Sequence, residues 1–475
     1  MGAIGVIEAT VAGNVLSGVG NDDFVEVKTT ENLVEGTTYY VICNAILQAN
    51  GEADLMFSWR MYDETNSAVL ADSTTTREMA RTANQESYQF VGRFTAGATT
   101  GGLQFQQKGH GGTGGGGTYK PAVTRFLSLI LLDMSEIDPE NYFFAEQEGG
   151  LELIGTVWED LEGTTHTVED SNGHTHNGDT WLVFGWCAYK VNSLDKLNEF
   201  RLVHRENDID QTVLPNMGFT GTNLDDDVCW WMARTYTFDE PACPTGTNCK
   251  PQEFTIQARA EGTGANPYVA NSCLFGIRLD ASTRYYSLFS DATRVNDYSV
   301  WESVGGSSFT PLTTDKVLVL GYLTYAGEGQ DDMGFQKIEL DGAEIPNDRP
   351  DLFAAVSMTT DDDVLPMSYI TVFDGVKNTD YGINQYAKTT DSSDATQQYD
   401  QTHAWFSTRY GLPVTFLPVA KEVYTSGDVE SQTFDAGAKA AQGFASGDTE
   451  AQGFAGGDTA SQSHSGGDVE TEARP

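Results

Sequence analysis

The chain repeats itself, and no other feature restricts its fold as strongly. The stretches "TYYVICNAILQANG" from Thr38, "DTWLVFGWCAYKVN" from Asp179 and "DKVLVLGYLTYAGE" from Asp315 align so that Val41, Val183 and Val319 coincide. In that register Phe184-Gly185-Trp186 matches Leu320-Gly321-Tyr322. Val183 follows Val41 by 142 residues, and Val319 follows Val183 by 136. The 136-residue offset recurs between "DDDVCWWMARTYTFD" from Asp225 and "DDDVLPMSYITVFD" from Asp361, and "ESYQFVGRFTA" from Glu86 takes the corresponding place in the first unit. Apolar strands close the first two units, "RFLSLILLD" to Asp133 and "SCLFGIRLD" to Asp280, with "HAWFSTRYGLPVTF" from His403 in the third. Even the linkers echo, as "VWEDLEG" from Val157 and "VWESVGG" from Val300. Two independent features sharing one offset mark three diverged copies of a domain-sized module.

Each module reads as β. Segments such as "WLVFGWCAY", "EFRLVHR" and "EFTIQAR" are short, β-branched and aromatic, and Gly, Asn, Asp and Pro clusters separate them. No long stretch has helical periodicity. The expected fold class is all-β: three tandem antiparallel β-sandwich modules of jelly-roll or Greek-key type, followed by a repetitive C-terminal tail. The expected boundaries are 26–135, 136–281 and 282–422, with residues 1–25 as a separate apolar anchoring segment and 423–475 as the tail. From Ser426 the tail divides into decapeptides such as "SGDVESQTFD" and "SGDTEAQGFA", which read either as a flexible linker or as a partner-bound segment. In the second case Phe434, Phe444 and Phe454 are its docking residues.

Charge limits the partners. There are 69 acidic against 27 basic residues, a formal net charge of -42. That balance opposes binding to nucleic acid or to an anionic membrane. The 24 Phe, 20 Tyr and 8 Trp argue for a folded chain rather than a disordered one. A folded, aromatic-rich, acidic and lysine-poor chain resembles the proteins of extreme halophiles. In molar salt the Debye length falls to about 3 Å, so the self-repulsion is screened. The start "MGAIGVIEATVAGNV" has no basic region typical of a secretory leader. The longest apolar run, "FLSLILL" from Phe126, is far too short to span a bilayer as a helix.

Candidate sites are few. Three of the seven histidines fall between His166 and His176. His174 and His176 are two apart, so on an extended strand they share one side. Two imidazoles alone are too few ligands for a first-row metal, while a threefold axis would supply six; the other reading is a solvated turn. The triplets Asp225-Asp226-Asp227 and Asp361-Asp362-Asp363 offer oxygen ligands for Ca²⁺ or Mg²⁺, or form solvated acidic loops. Cys243 and Cys249 in "CPTGTNC" are either a disulfide-closed loop or two free thiols. Trp230 and Trp231 are the best candidates for stacking on a sugar, although one of two adjacent strand residues must face the core. No HExxH, G-x-S-x-G or phosphate-binding loop is present.

The element Gly173-His174-Thr175-His176 resembles the Gly-His-x-His element of trimeric tailed-virus fibre and spike proteins. That resemblance implies iron or zinc held on a trimer axis. With the tandem sandwiches, the tail and the acidic composition, the chain resembles a virion surface appendage of a haloarchaeal-type tailed virus: a capsid turret, a decoration protein or a tail fibre. The implied role is structural rather than enzymatic. The implied partners are further copies in a homotrimer or other symmetric oligomer, other virion proteins, and a host surface glycoprotein or glycan. The alternatives are a carbohydrate-active enzyme or carbohydrate-binding protein with β-sandwich modules, and a cellular surface or filament protein.

Overall fold

A computed structural model describes residues 5–16, 24–30, 33–49, 55–79, 85–97, 102–109, 122–135, 138–152, 157–168, 180–190, 197–206, 209–213, 217–220, 227–238, 252–261, 268–279, 285–290, 300–311, 314–326, 333–341, 343–344, 354–357, 364–389 and 398–407. The first module holds β1 (Gly5–Leu16), β2 (Val25–Thr29), β3 (Thr38–Ala49), β4 (Leu55–Asp63), β5 (Ala68–Val69), β6 (Thr75–Met79), β7 (Gln85–Thr95), β8 (Leu103–Gly109) and β9 (Ala122–Asp133). The second holds β10 (Tyr142–Glu152), β11 (Glu159–Asp160), β12 (His166–Val168), β13 (Thr180–Lys190), β14 (Leu197–Glu206), β15 (Ile209–Val213), β16 (Met217–Thr220), β17 (Asp227–Thr237), β18 (Gln252–Glu261) and β19 (Tyr268–Leu279). The third holds β20 (Tyr285–Ser290), β21 (Glu302–Phe309), β22 (Asp315–Ala326), β23 (Met333–Leu340), β24 (Ala343–Glu344), β25 (Ala354–Ser357), β26 (Val364–Gly375), β27 (Tyr381–Thr389) and β28 (Gln398–Ser407).

The three modules share one strand order. The first sheet runs β1-β9-β3-β7, and the same order returns as β10-β19-β13-β17 and β20-β28-β22-β26. The facing sheet runs β2-β8-β4-β6, then β11 and β12 on β18-β14-β16, then β21-β27-β23-β25. Every pairing among the described residues is antiparallel, and the connectivity is that of a jelly roll. The aligned valines occupy the same central strand of each first sheet. Val41 pairs with Gly92 and Leu131, Val183 with Arg234 and Gly276, and Val319 with Thr371 and Trp405. Residues 5–16, assigned from sequence to a separate anchor, instead form the edge strand of the first module. β1 runs along β9 from Gly5 opposite Asp133 to Leu16 opposite Val123.

The sheets continue from module to module. Thr76 of β6 pairs with Asp227 of β17, which joins two sheets into one of nine strands. Gly218 of β16 pairs with Val364 of β26, which makes one of ten. β25 of the third module lies against β7 of the first at the corresponding place, although among the described residues these two sheets stay separate. β7, β17 and β26 also lie against one another, and the modules are related cyclically about these three strands. The repeated Asp triplets stop at, or one residue before, the two paired junctions.

This arrangement buries the central strands of the first sheets on both faces. Every residue of β13 except Lys190 is buried. One face packs on its own module, where Phe200 meets Tyr189 and Trp230 at ring distances of 5.7 and 5.9 Å. The other face meets the neighbouring modules. Phe275 stacks on Tyr40 at 5.0 Å, Phe90 sets its edge on Trp186 at 4.9 Å, and Trp231 meets Tyr322 edge-on at 5.5 Å. Phe126 stacks on Tyr369 at 5.5 Å, and a buried hydrogen bond of 2.8 Å runs from Ser368 Oγ to Asn44 Oδ1. A strand covered on both sides reads as a continuous apolar run rather than an alternating one, which is why "WLVFGWCAY" carries no period of two.

Residues 408–475, which include the decapeptides with Phe434, Phe444 and Phe454, lie outside the described residues. Among the described residues no helix is long and apolar enough to cross a membrane.

Candidate functional site

Most candidate ligands fall where the structure is not described. His174, His176, Cys243, Cys249, Asp225, Asp226, Asp361, Asp362 and Asp363 lie outside the described residues. The backbone of Asp227 is described: it begins β17 and pairs with Thr76 and Lys190. Among the described residues no group of three or more His, Cys, Asp or Glu is placed to hold a metal.

Trp230 and Trp231 correct the sequence reading of a sugar-stacking pair. They are 1 % and 0 % exposed. One faces its own module at Phe200, and the other lies between Phe184 and Tyr322. Alternation on a strand leaves one of two neighbours in solvent only when one sheet face is free, and here neither is.

His166, the first of the clustered histidines, belongs to an aromatic core. Its ring stacks on Phe143 at 4.2 Å, and Phe143 in turn stacks on Phe254. His204 sits on the other side of Phe254 and shares a 2.6 Å hydrogen bond with Gln252. Burial pushes both imidazoles below the usual histidine pKa; at His204 the Gln252 hydrogen bond acts against burial and the Arg234 charge acts with it.

The outer sheets carry a feature that occurs three times. In each module an aromatic residue at the start of the outermost strand lies over two cations from the next strands inward. In the first module Phe24 takes Arg60 of β4 at 3.8 Å and Lys108 of β8 at 5.6 Å. In the second, Trp158 takes Arg201 of β14 at 4.2 Å and Arg259 of β18 at 4.7 Å. In the third, Trp301 takes Lys337 of β23 at 5.0 Å and Lys388 of β27 at 4.8 Å. The register is the same each time. Arg60 pairs with Gln106, Arg201 with Gln257 and Lys337 with Tyr386, and the second cation lies two residues beyond that partner. Arg60 Nε donates to Gln106 Oε1 at 2.8 Å, and Arg201 Nε to Gln257 Oε1 at 2.7 Å. Six of the chain's 27 basic residues are spent on these three corners, so they are a repeated construction rather than chance surface pairs. Each cation–π contact at a partly exposed site contributes about 0.5–1 kcal/mol.

The second-module corner is the most developed. Arg205 makes a two-pronged ion pair with Asp160, both bonds 2.7 Å, and reaches Glu253 at 3.2 Å. Gln257 Nε2 donates to Asp160 at 2.8 Å, and Arg259 pairs with Glu199 at 2.5 Å. Burial pushes Asp160 up, but the Arg205 and Gln257 hydrogen bonds outweigh it and leave the carboxyl below its ordinary value. The turn after Asp160 is closed by Thr164, whose N–H and hydroxyl both donate to Leu161 O. Gly163 in that turn has φ +78°, and a Cβ there would stand 2.7 Å from Glu146 O. The linker echo "VWEDLEG" and "VWESVGG" is the only sequence signal for these corners.

No protein-family model matches the chain, and no curated protein does. Solved structures do align with it over long spans. Infectious bursal disease virus Gx strain aligns over 57 % of this chain and 73 % of its own at 11 % identity and a TM-score of 0.22. A triple jelly-roll fold from an archaeal virus turret assembly aligns over 86 % and 92 % at 8 % identity and a TM-score of 0.17. The tandem CBM22 domains of Paenibacillus barcinonensis Xyn10C align over 58 % and 98 % at 11 % identity and a TM-score of 0.17. Scores this low carry no argument, and the triple jelly roll rests on this chain's own strand order and register.

Proposed function

We propose that the chain is a structural protein of a virus particle, displayed on the particle surface as a turret, decoration or fibre, and that it acts in attachment to the host. The observation that carries this reading is the joining of three jelly rolls by two shared sheets and by an apolar core with residues from all three modules. Jelly rolls serve in capsids and in lectins. Here the central strands of the inner sheets are used on both faces for packing, so they act as construction material, and the outer sheets are left for contact. The net charge of -42 supports a halophilic host, where molar salt screens repulsion between neighbouring copies. Self-association into a homotrimer or another symmetric oligomer belongs to the same reading, as does metal on an axis at His174 and His176 and a cation at the Asp triplets.

The test is made on particles purified from a producing culture. The chain is expected among their abundant proteins, and antibodies against it are expected to label the outer surface and slow adsorption to cells. A chain abundant in cells but absent from particles overturns the proposal.

A further inference from the structure

We propose that the Val157–Trp158 and Val300–Trp301 corners are two equivalent binding sites for a neutral hexose glycan. The inference deepens the attachment reading and rests on it for its biological meaning. Its first support is the repeated corner itself, which fixes an indole on the outer sheet through two cations. The second is independent. Val157 and Val300, immediately before the two tryptophans, are 66 % and 64 % exposed. They are two of only five large hydrophobic residues strongly exposed among the described residues. An exposed valine beside a half-buried tryptophan, at the same place in two modules, is apolar surface kept for contact.

Size and charge identify the occupant. A stable protein–protein interface needs about 800 Å² on each side. One tryptophan and one valine, bordered by ion pairs, expose far less than that. They match one or two sugar rings, whose apolar C–H faces lie on an indole while their hydroxyls meet the Arg, Gln and carboxylate groups of the border. In the second module three guanidiniums, Arg201, Arg205 and Arg259, stand with three carboxylates, Asp160, Glu199 and Glu253. In the third, Lys337 pairs with Glu339 at 2.7 Å. The carboxylates of the second corner match its guanidiniums in number, and at the third corner, where Lys337 and Lys388 lie over Trp301, the chain's net charge of -42 still opposes an anionic glycan. The first module departs from the pattern, with Asp23 and Phe24 in place of Val and Trp, and is not assigned a site. Two shallow sites on one chain, multiplied by copies on a particle, suit weak multivalent attachment.

The experiment passes the purified full chain, in molar KCl, over columns carrying mannan, β-glucan or galactan, with alginate as the anionic comparison. Retention is expected on at least one neutral glycan and not on alginate alone. The Trp158→Ala, Trp301→Ala double variant is expected to elute unretained, and each single variant to lose the two-site gain, about a hundredfold in apparent affinity. The exposed Val157→Asp, Val300→Asp variant leaves the ring–cation contacts intact and is expected to lose retention too, so the test does not depend on the tryptophan variants folding. No retention on any neutral glycan, retention on alginate alone, or full retention of both double variants overturns the proposal. Because no particle is involved, that failure is separate from absence of the chain from virions.

Discussion

If the three modules share a core, then Trp231 of the second and Tyr322 of the third must depend on each other. Both are fully buried, at 0 % and 1 % exposure, and their rings meet edge-on at 5.5 Å. Truncating an aromatic of this size to Ala costs about 3–5 kcal/mol. Two such losses rival the roughly 5–15 kcal/mol that holds a protein folded. Leucine at each site leaves a smaller void than alanine and still removes the ring–ring contact, which contributes about 0.5–1.5 kcal/mol beyond burial. The double-mutant cycle Trp231→Leu with Tyr322→Leu, read by urea titration in molar KCl, should therefore show a coupling of about that size. Phe200 and Trp230 lie within one module at 5.9 Å and provide the cycle that couples in any arrangement. If Phe200 and Trp230 couple while Trp231 and Tyr322 add within about 0.3 kcal/mol, the shared core is refuted.

Three other outcomes are expected. Lowering KCl from molar to 0.15 M lengthens the Debye length from about 3 to about 8 Å, so the melting temperature should fall; an equal or higher value at low salt contradicts the halophilic reading. His166 and His204 have folded pKa values below the ordinary one, so the stability they contribute is full above the unfolded-state pKa of about 6.5 and is lost as pH falls through their folded values. The His166→Phe, His204→Gln variant should lose less stability than the parent between pH 7.5 and 5, and parallel losses would remove these histidines from the acid response. Metal analysis of purified particles should find iron or zinc that the His174→Ala, His176→Ala variant lacks, and equal metal in both would exclude the pair as ligands.

The module count, the β class and the equivalence of Val41, Val183 and Val319 were all legible in the sequence, because strands buried on both faces keep long apolar runs that survive divergence. How the sheets run on across modules was not, since Thr76–Asp227 and Gly218–Val364 are single pairings between residues far apart in the chain. The same junctions hide Trp230 and Trp231: alternation identifies which of two neighbours faces the core, but not that a second core covers the other. Gly5–Leu16 looked like an anchor because an edge strand of small and apolar residues has no local mark of its partner, which is β9 more than a hundred residues away. The corners were half visible. The echo of Val157-Trp158-Glu159 and Val300-Trp301-Glu302 stands in the sequence, whereas Arg201, Arg259, Lys337 and Lys388 are scattered bases until the register sets them diagonally beneath the rings.

The cyclic joining of modules is the centre of the account, and a disulfide trap tests it most directly. Gly218 and Val364 are paired across two modules, 146 residues apart in sequence. Paired antiparallel residues have Cα atoms about 4.5–5.5 Å apart, within the range a disulfide spans. In the full chain with Gly218→Cys and Val364→Cys, mild oxidation of the folded protein is expected to close a new bond, seen as one linked peptide after digestion and as faster migration without reductant. Oxidation that leaves the two introduced thiols unlinked in a protein that stays folded would contradict the joined arrangement and return the chain to three separate sandwiches.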